Sequence, residues 1–215
     1  SNYLAVVLRT SGIISIFIGG IWAAFQKDLK RMMAYAMIME TGYSLLALSF
    51  GGVIGIDLFF GLLIPRTIAL FLWATALTIL LGKDSSPQFS SVKGLGRKYP
   101  FAAIIILLSH FSLVGLPLLA GFPVHQAIWE QIGTFSIFTA IWFFIGSIGL
   151  LTGGIRVLAV LVSPSSEEGF IPHENWPQRI YLSIGILLLI LLGIFPQWIS
   201  PLISQLPSMF THLVR

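Results

Sequence analysis

The chain has 215 residues, 56% hydrophobic and only 9% charged, against roughly 25% charged in an average soluble domain. So few charges cannot clothe a soluble surface, and a transmembrane helix needs only about 20 apolar residues. An ordinary cytosolic enzyme and a disordered tail are excluded. The absence of cysteine removes disulfide scaffolds, thiol nucleophiles and thiolate metal sites together.

The net charge of +4 comes as short Lys/Arg runs between apolar stretches. That distribution orients membrane proteins and offers no basic face for nucleic acid. The composition therefore predicts an all-α, polytopic membrane helix bundle. About six spans are expected, in one membrane domain over residues 1–215, with the lipid bilayer as surroundings. No cleavable leader is expected either, since the first apolar stretch runs straight into Gln26–Arg31 without a small-residue cleavage site.

The first span is predicted over about 3–25, with Arg9 near its start, and the second over about 32–54, interrupted only by Glu40. Glycines at 51, 52 and 55 and then Asp57 lead into the third, about 58–81, which carries Arg66 directly after Pro65. A basic loop at 82–99 follows. The apolar run of the fourth span, about 101–132, contains Gly115, Pro117, Gly121 and Pro123. Proline removes a donor and clashes with the preceding turn, and glycine loosens what remains. Two half-helices, about 101–115 and 124–132, are expected around an unwound segment. The fifth span, about 134–162, holds Arg156, and the sixth covers about 180–198. Residues 200–215 are expected to form a surface helix.

Loop charges give an orientation. The turn at 26–31 carries Lys27, Lys30 and Arg31, and the loop at 82–99 carries Lys83, Lys93, Arg97 and Lys98. The turn at 55–57 and the connection near 132 carry none. The two basic loops fall on one side and are expected to be cytoplasmic, with both termini outside.

Ionisable groups at membrane depth cost about 2.5–3.5 kcal/mol on insertion scales and default to a functional reading. Glu40 and Arg66 each lie about eight residues into neighbouring antiparallel spans, close to mid-membrane. Two readings stay open for Glu40: neutralisation by Arg66, or a part in proton movement. Arg66 is permanently charged and cannot relay protons by titrating, so its expected role is structural or electrostatic. His110 is read either as a carbonyl-bonded ring or as a relay group. His125 is the strongest candidate for a proton path, because unwound backbone at mid-membrane belongs beside protein or a hydrated cavity and imidazole titrates near neutrality. Lys30 is a further candidate. The four histidines, at 110, 125, 173 and 212, show no helical ligand spacing, so no metal is expected. Gly94–Arg97 lacks the lysine and strand of a phosphate loop.

Two stretches carry a resemblance. Gln26-Lys-Asp-Leu-Lys-Arg-Met-Met-Ala-Tyr35, followed by Glu40-Thr-Gly-Tyr43, is similar to a signature of the antiporter-like, proton-translocating membrane subunits. These occur in respiratory complex I (NADH-quinone oxidoreductase), related membrane hydrogenases and Mrp-type cation/proton antiporters. Lys93-Gly-Leu-Gly-Arg-Lys-Tyr-Pro100, leading to Ser112-Leu-Val-Gly-Leu-Pro-Leu-Leu-Ala-Gly-Phe122, resembles the family's approach to its second broken helix. The resemblance implies a place on the last six of about fourteen helices, in a fold of inverted repeats that each hold a broken helix. It also implies a non-redox part in an NAD(P)H-quinone oxidoreductase-type complex, without a cofactor and with other membrane subunits as partners. The part is proton translocation; the alternatives are a structural subunit without its own proton path and an Mrp-type antiporter subunit. Two departures stand out. His125 occupies the position after the break where the family has Lys or Glu. In the third span an ungapped match puts Arg66 at the family's histidine and Leu70 at its lysine.

Overall fold

The structure, a computed structural model, describes residues 2–82, 85–164 and 173–198. Its regular elements among these residues are all helices, apart from one isolated β-type bridge between Asp28 and Gln88. The surface helix expected at 200–215 lies outside them.

Helix α1 (Asn2–Phe25) turns at Gln26–Asp28 into α2 (Leu29–Ser49). Asp28 starts α2 by accepting from the N–H groups of Lys30 and Arg31, at 2.9 and 3.0 Å, which satisfies donors that no helical carbonyl reaches. Helix α3 (Gly52–Leu81) begins six residues before the expected Leu58. The whole turn is made by Gly51 at φ +72° and Gly52 at φ +58°, so Gly55 and Asp57 fall inside the helix. Short α4 (Phe89–Val92) and a 3-10 turn at Leu95–Arg97 lead to α5 (Pro100–Val114). The expected break follows, then α6 (Phe122–Phe135), α7 (Ile137–Val162) and α8 (Trp176–Ile194).

Helices α1, α3, α7 and α8 are each long and apolar enough to cross a membrane alone. Helix α2 is less apolar because its neighbours shield it: α1, α3, α5 and α7 all pack on it. Met32, Ala36, Met39, Tyr43 and Leu46 are fully buried there. Close approach of α1 to α7 is possible only because Gly20 faces Gly146; a Cβ at Gly20 would overlap the Gly146 backbone. Small residues at such crossings are how membrane helices gain packing in the absence of a hydrophobic drive between them.

The basic-loop end is strapped down. Leu29 N–H donates to the Pro87 carbonyl at 3.0 Å, Phe89 N–H to that of Lys27 at 2.8 Å and Gly94 N–H to that of Val160 at 3.0 Å. Arg156, read from sequence as a lone charge in its span, donates to the Ala24 carbonyl at the C-terminal end of α1. Its guanidinium also stands 5.4 Å from the centre of the Phe89 ring. Positive charge at a helix C-terminus is favourable. Glu174, before α8, reaches the start of α5 and accepts from Ala102 N–H at 2.9 Å. Glu174 is only 3% exposed, and burial pushes its carboxyl above the ordinary glutamate range.

Candidate functional site: a buried carboxylate–imidazole pair

The broken helix brings α6 back toward α2. Gly115, at φ +82°, ends α5, and a Cβ there would sit 2.8 Å from the Cβ of His125. Gly121 lies against the Ser112 carbonyl with no room for a side chain, and its N–H donates to Ser112 Oγ at 3.0 Å. Both glycines make the space in which His125 sits. Pro123 falls in the first turn of α6, where its missing N–H would have had no helical partner anyway. The neighbouring Gly121 is satisfied within the protein. Its carbonyl accepts from His125 N–H at 3.2 Å and from His125 Nδ1 at 2.7 Å. Pro117 belongs to the linker, and Leu118 beside it takes φ +71°.

A carbonyl can only accept, so Nδ1 carries the hydrogen and Nε2 is the nitrogen left to bind a proton. His125 Nε2 lies 3.5 Å from Glu40 Oε1. Both residues are buried, Glu40 at 1% and His125 at 7% exposure. At this distance neither atom has a hydrogen-bond partner, and a proton on either would turn lone-pair repulsion into attraction and draw the two together. Tyr43, one turn from Glu40 on α2, sets its ring edge-on to the imidazole with centroids 4.6 Å apart. Its hydroxyl is 3.2 Å from Ser147 Oγ on α7, and Phe143 packs on its other side. A void of about 10 Å³ adjoins the pair, lined by Arg66, Pro65, Ser112 and Leu62 among others. That volume is at the lower limit for one water molecule.

The structure does not form the ion pair considered between Glu40 and Arg66. Arg66 Nη1 donates to Ser44 Oγ at 2.8 Å and approaches the Glu40 backbone carbonyl at 3.5 Å, while the Glu40 carboxylate faces His125. Arg66 faces the same side of α2 and borders the same void as Glu40, but its bonds go to Ser44 and the main chain instead of the carboxylate. Lys30 sits in the exposed first turn of α2, ten residues or about 15 Å along the helix from Glu40, and is not brought to the pair. His110 is fully buried on α5 and bonds the Leu150 carbonyl through Nε2 at 2.7 Å. Its ring packs edge-on against Trp73. Glu130 is exposed and bonds Gln126. Tyr43, Ser44 and Ser112 complete the site, although sequence reasoning assigned them no role there. Their i+3 and i+4 spacing from Glu40, for Tyr43 and Ser44, was the available signal. Among the described residues, no group of three or more His, Asp or Glu is placed to hold a metal.

These features define a polytopic helical membrane protein with a protonatable pair at the break of a discontinuous helix. Residues 1–158 match the profile of the family described as "NADH:quinone oxidoreductase/Mrp antiporter, TM", and the chain belongs to that family. It is 32% identical over 210 residues to NADH-quinone oxidoreductase subunit N 1 of Herpetosiphon aurantiacus, covering 92% of this chain and 39% of that one. With subunit N of Geotalea uraniireducens it shares 30% identity over 210 residues, 91% of this chain and 42% of the relative. The chain thus spans about two fifths of the length of these curated relatives. Among solved structures, a chain of the archaeal membrane-bound sulfane sulfur reductase superposes with a TM-score of 0.83 at 20% identity. That match covers 96% of this chain and 42% of the other. A chain of respiratory complex I from Thermus thermophilus gives 0.75 at 21%, covering 98% and 45%. At these identities the structures speak for the fold.

Proposed function

We propose that this chain works as an antiporter-like membrane subunit of a complex I-type NADH-quinone oxidoreductase assembly, beside other membrane subunits, and takes part in proton translocation. The chain performs no redox chemistry in this reading. Its chemistry is the holding and passing of a proton between His125 Nε2 and Glu40 Oε1, with Arg66 as a fixed cation across the adjoining void. In the same reading the loops at 26–31 and 82–99 face the cytoplasm and both termini face outward, as their Lys/Arg content favours.

The observation that carries the proposal is the 3.5 Å contact of a titratable imidazole with a carboxylate, buried where a helix is interrupted. Ionisable groups at such depth mark ion and proton paths, and a buried imidazole fixed through Nδ1 has one defined proton-accepting atom. The test is proton uptake by vesicles holding the assembled complex. His125→Leu is expected to cut uptake at least tenfold with assembly intact, and His125→Lys to retain it. Normal uptake by a fully assembled His125→Leu complex would make the chain a scaffold as far as protons are concerned.

A further inference from the structure

The Gln26–Arg31 turn takes no part in the Glu40–His125 pair, yet it borders a cavity of about 490 Å³. We propose that this notch binds the phosphate of an anionic phospholipid. Its walls are the α1–α2 turn and the strap at 88–90. Lys27 and Arg31 supply two exposed cations four residues apart, and Gln26, Gln88 and Ser90 line the rest with further hydrogen-bonding groups. The one acid in the wall, Asp28, is turned to the N–H groups of Lys30 and Arg31, so it is engaged in capping α2.

Three restraints hold the notch open before any ligand arrives. Two backbone bonds cross it, Leu29 to Pro87 and Phe89 to Lys27. Arg156 supports Phe89 from α7. A preformed site avoids the ordering cost that weakens binding by loose basic loops.

A lipid fits better than a free anion because of what lies beside the notch. Ile14, Ile18, Trp22 and Phe25 recur every three or four residues along α1, so they share one face. They are 51, 39, 48 and 76% exposed. This stripe leads from the notch along an exposed apolar side of the bundle and gives an acyl chain a track. Aromatic residues at its upper end sit where headgroups meet hydrocarbon. Basic pockets at such a boundary attract anionic lipids, at roughly a fivefold gain in affinity for each Lys or Arg.

The test is a titration of the purified full chain with phosphatidylglycerol and with phosphatidylcholine, followed by native mass spectrometry. The intact chain is expected to prefer phosphatidylglycerol. Lys27→Gln with Arg31→Gln should weaken that lipid about thirtyfold and leave phosphatidylcholine unchanged. Lys93→Gln with Arg97→Gln, equal in charge but away from the notch, should cost less than threefold. Equal loss in the two pairs would reduce the effect to a diffuse field and overturn the site. Displacement by millimolar inorganic phosphate would make it a simple anion site and overturn the lipid assignment. Should the notch variant fail to fold, Trp22→Ala with Phe25→Ala decides, because it leaves both cations in place. Loss of preference for phosphatidylglycerol over soluble glycerophosphate supports the proposal, and an unchanged preference defeats it.

Discussion

The two halves of the broken helix each carry one buried histidine, and each ring gives one nitrogen to a carbonyl at 2.7 Å. They differ in what the second nitrogen meets. Neither second nitrogen has a hydrogen-bond partner, but the His110 ring lies against Trp73. His125 Nε2 meets the carboxylate of Glu40. The same side chain, equally anchored, is a packing element in one half and a protonatable partner in the other. Burial alone does not make a proton site; the group opposite the free nitrogen does.

The largest effect expected from this contrast is on stability. Removing one partner of a buried pair costs about 3–5 kcal/mol, because the other is left uncompensated. His125→Leu should show that loss in denaturant unfolding of the detergent-solubilised protein, and adding Glu40→Gln should recover much of it. His110→Leu removes a single neutral bond and should cost only about 1 kcal/mol. Equal losses at the two histidines would erase the distinction between the half-helices.

Arg66 sharpens the comparison from the other side of the void. Its hydrogen-bond partners are Ser44 Oγ and the Glu40 main chain, so Arg66→Leu should cost about 1.5–3 kcal/mol, the worth of a charge-assisted bond. Ser44→Ala breaks the same bond, and the double variant should be little worse than Arg66→Leu. Glu40→Gln should not rescue Arg66→Leu. Rescue, read from the same unfolding curves, would mean that guanidinium and carboxylate neutralise each other after all.

The smallest effect concerns Glu174, which ties the first half-helix to the segment before α8. Its acceptor role at Ala102 makes Glu174→Ala destabilising by about 0.5–2 kcal/mol. Its pH dependence follows from the direction of its shift. A carboxyl raised in the folded state binds a proton more tightly than in the unfolded chain. The stability it contributes is therefore full below the ordinary value of 4.5 and is lost as pH rises through the folded value. Glu174→Gln keeps the acceptor and has no proton to lose. Its melting temperature should fall less over that rise than that of the unaltered chain; parallel pH curves would show that Glu174 is not the group responsible.

Much of this was legible in the residues, for reasons that also explain what was not. The break could be read because Gly115, Pro117, Gly121 and Pro123 act locally, through φ preferences and missing donors. The depth of Glu40 and Arg66 followed from residue counts along their helices. Their partners did not, because depth fixes one coordinate and rotation about the helix axis fixes the other. Helix α2 packs against α1, α3, α5 and α7 yet leaves the apolar Met37 and Ile38 exposed, so its apolar pattern gives little hint of which face points where. The Glu40–His125 contact joins residues 85 positions apart through packing that Gly115 and Gly121 permit. Ser44 and Ser112 are ordinary residues until a guanidinium and a glycine N–H are placed against them. The start of α3 was misplaced because the Gly51–Gly52 turn is tighter than a glycine-rich stretch suggests.

The central claim is that Glu40 and His125 act on protons as one unit, and a four-corner cycle of proton flux in the assembled complex tests it most directly. Groups that work as a unit are strongly non-additive. Glu40→Gln and His125→Leu should each reduce flux at least tenfold, and the double variant should conduct about as poorly as the worse single one. Losses that multiply in the double variant would show two independent contributions and contradict the account.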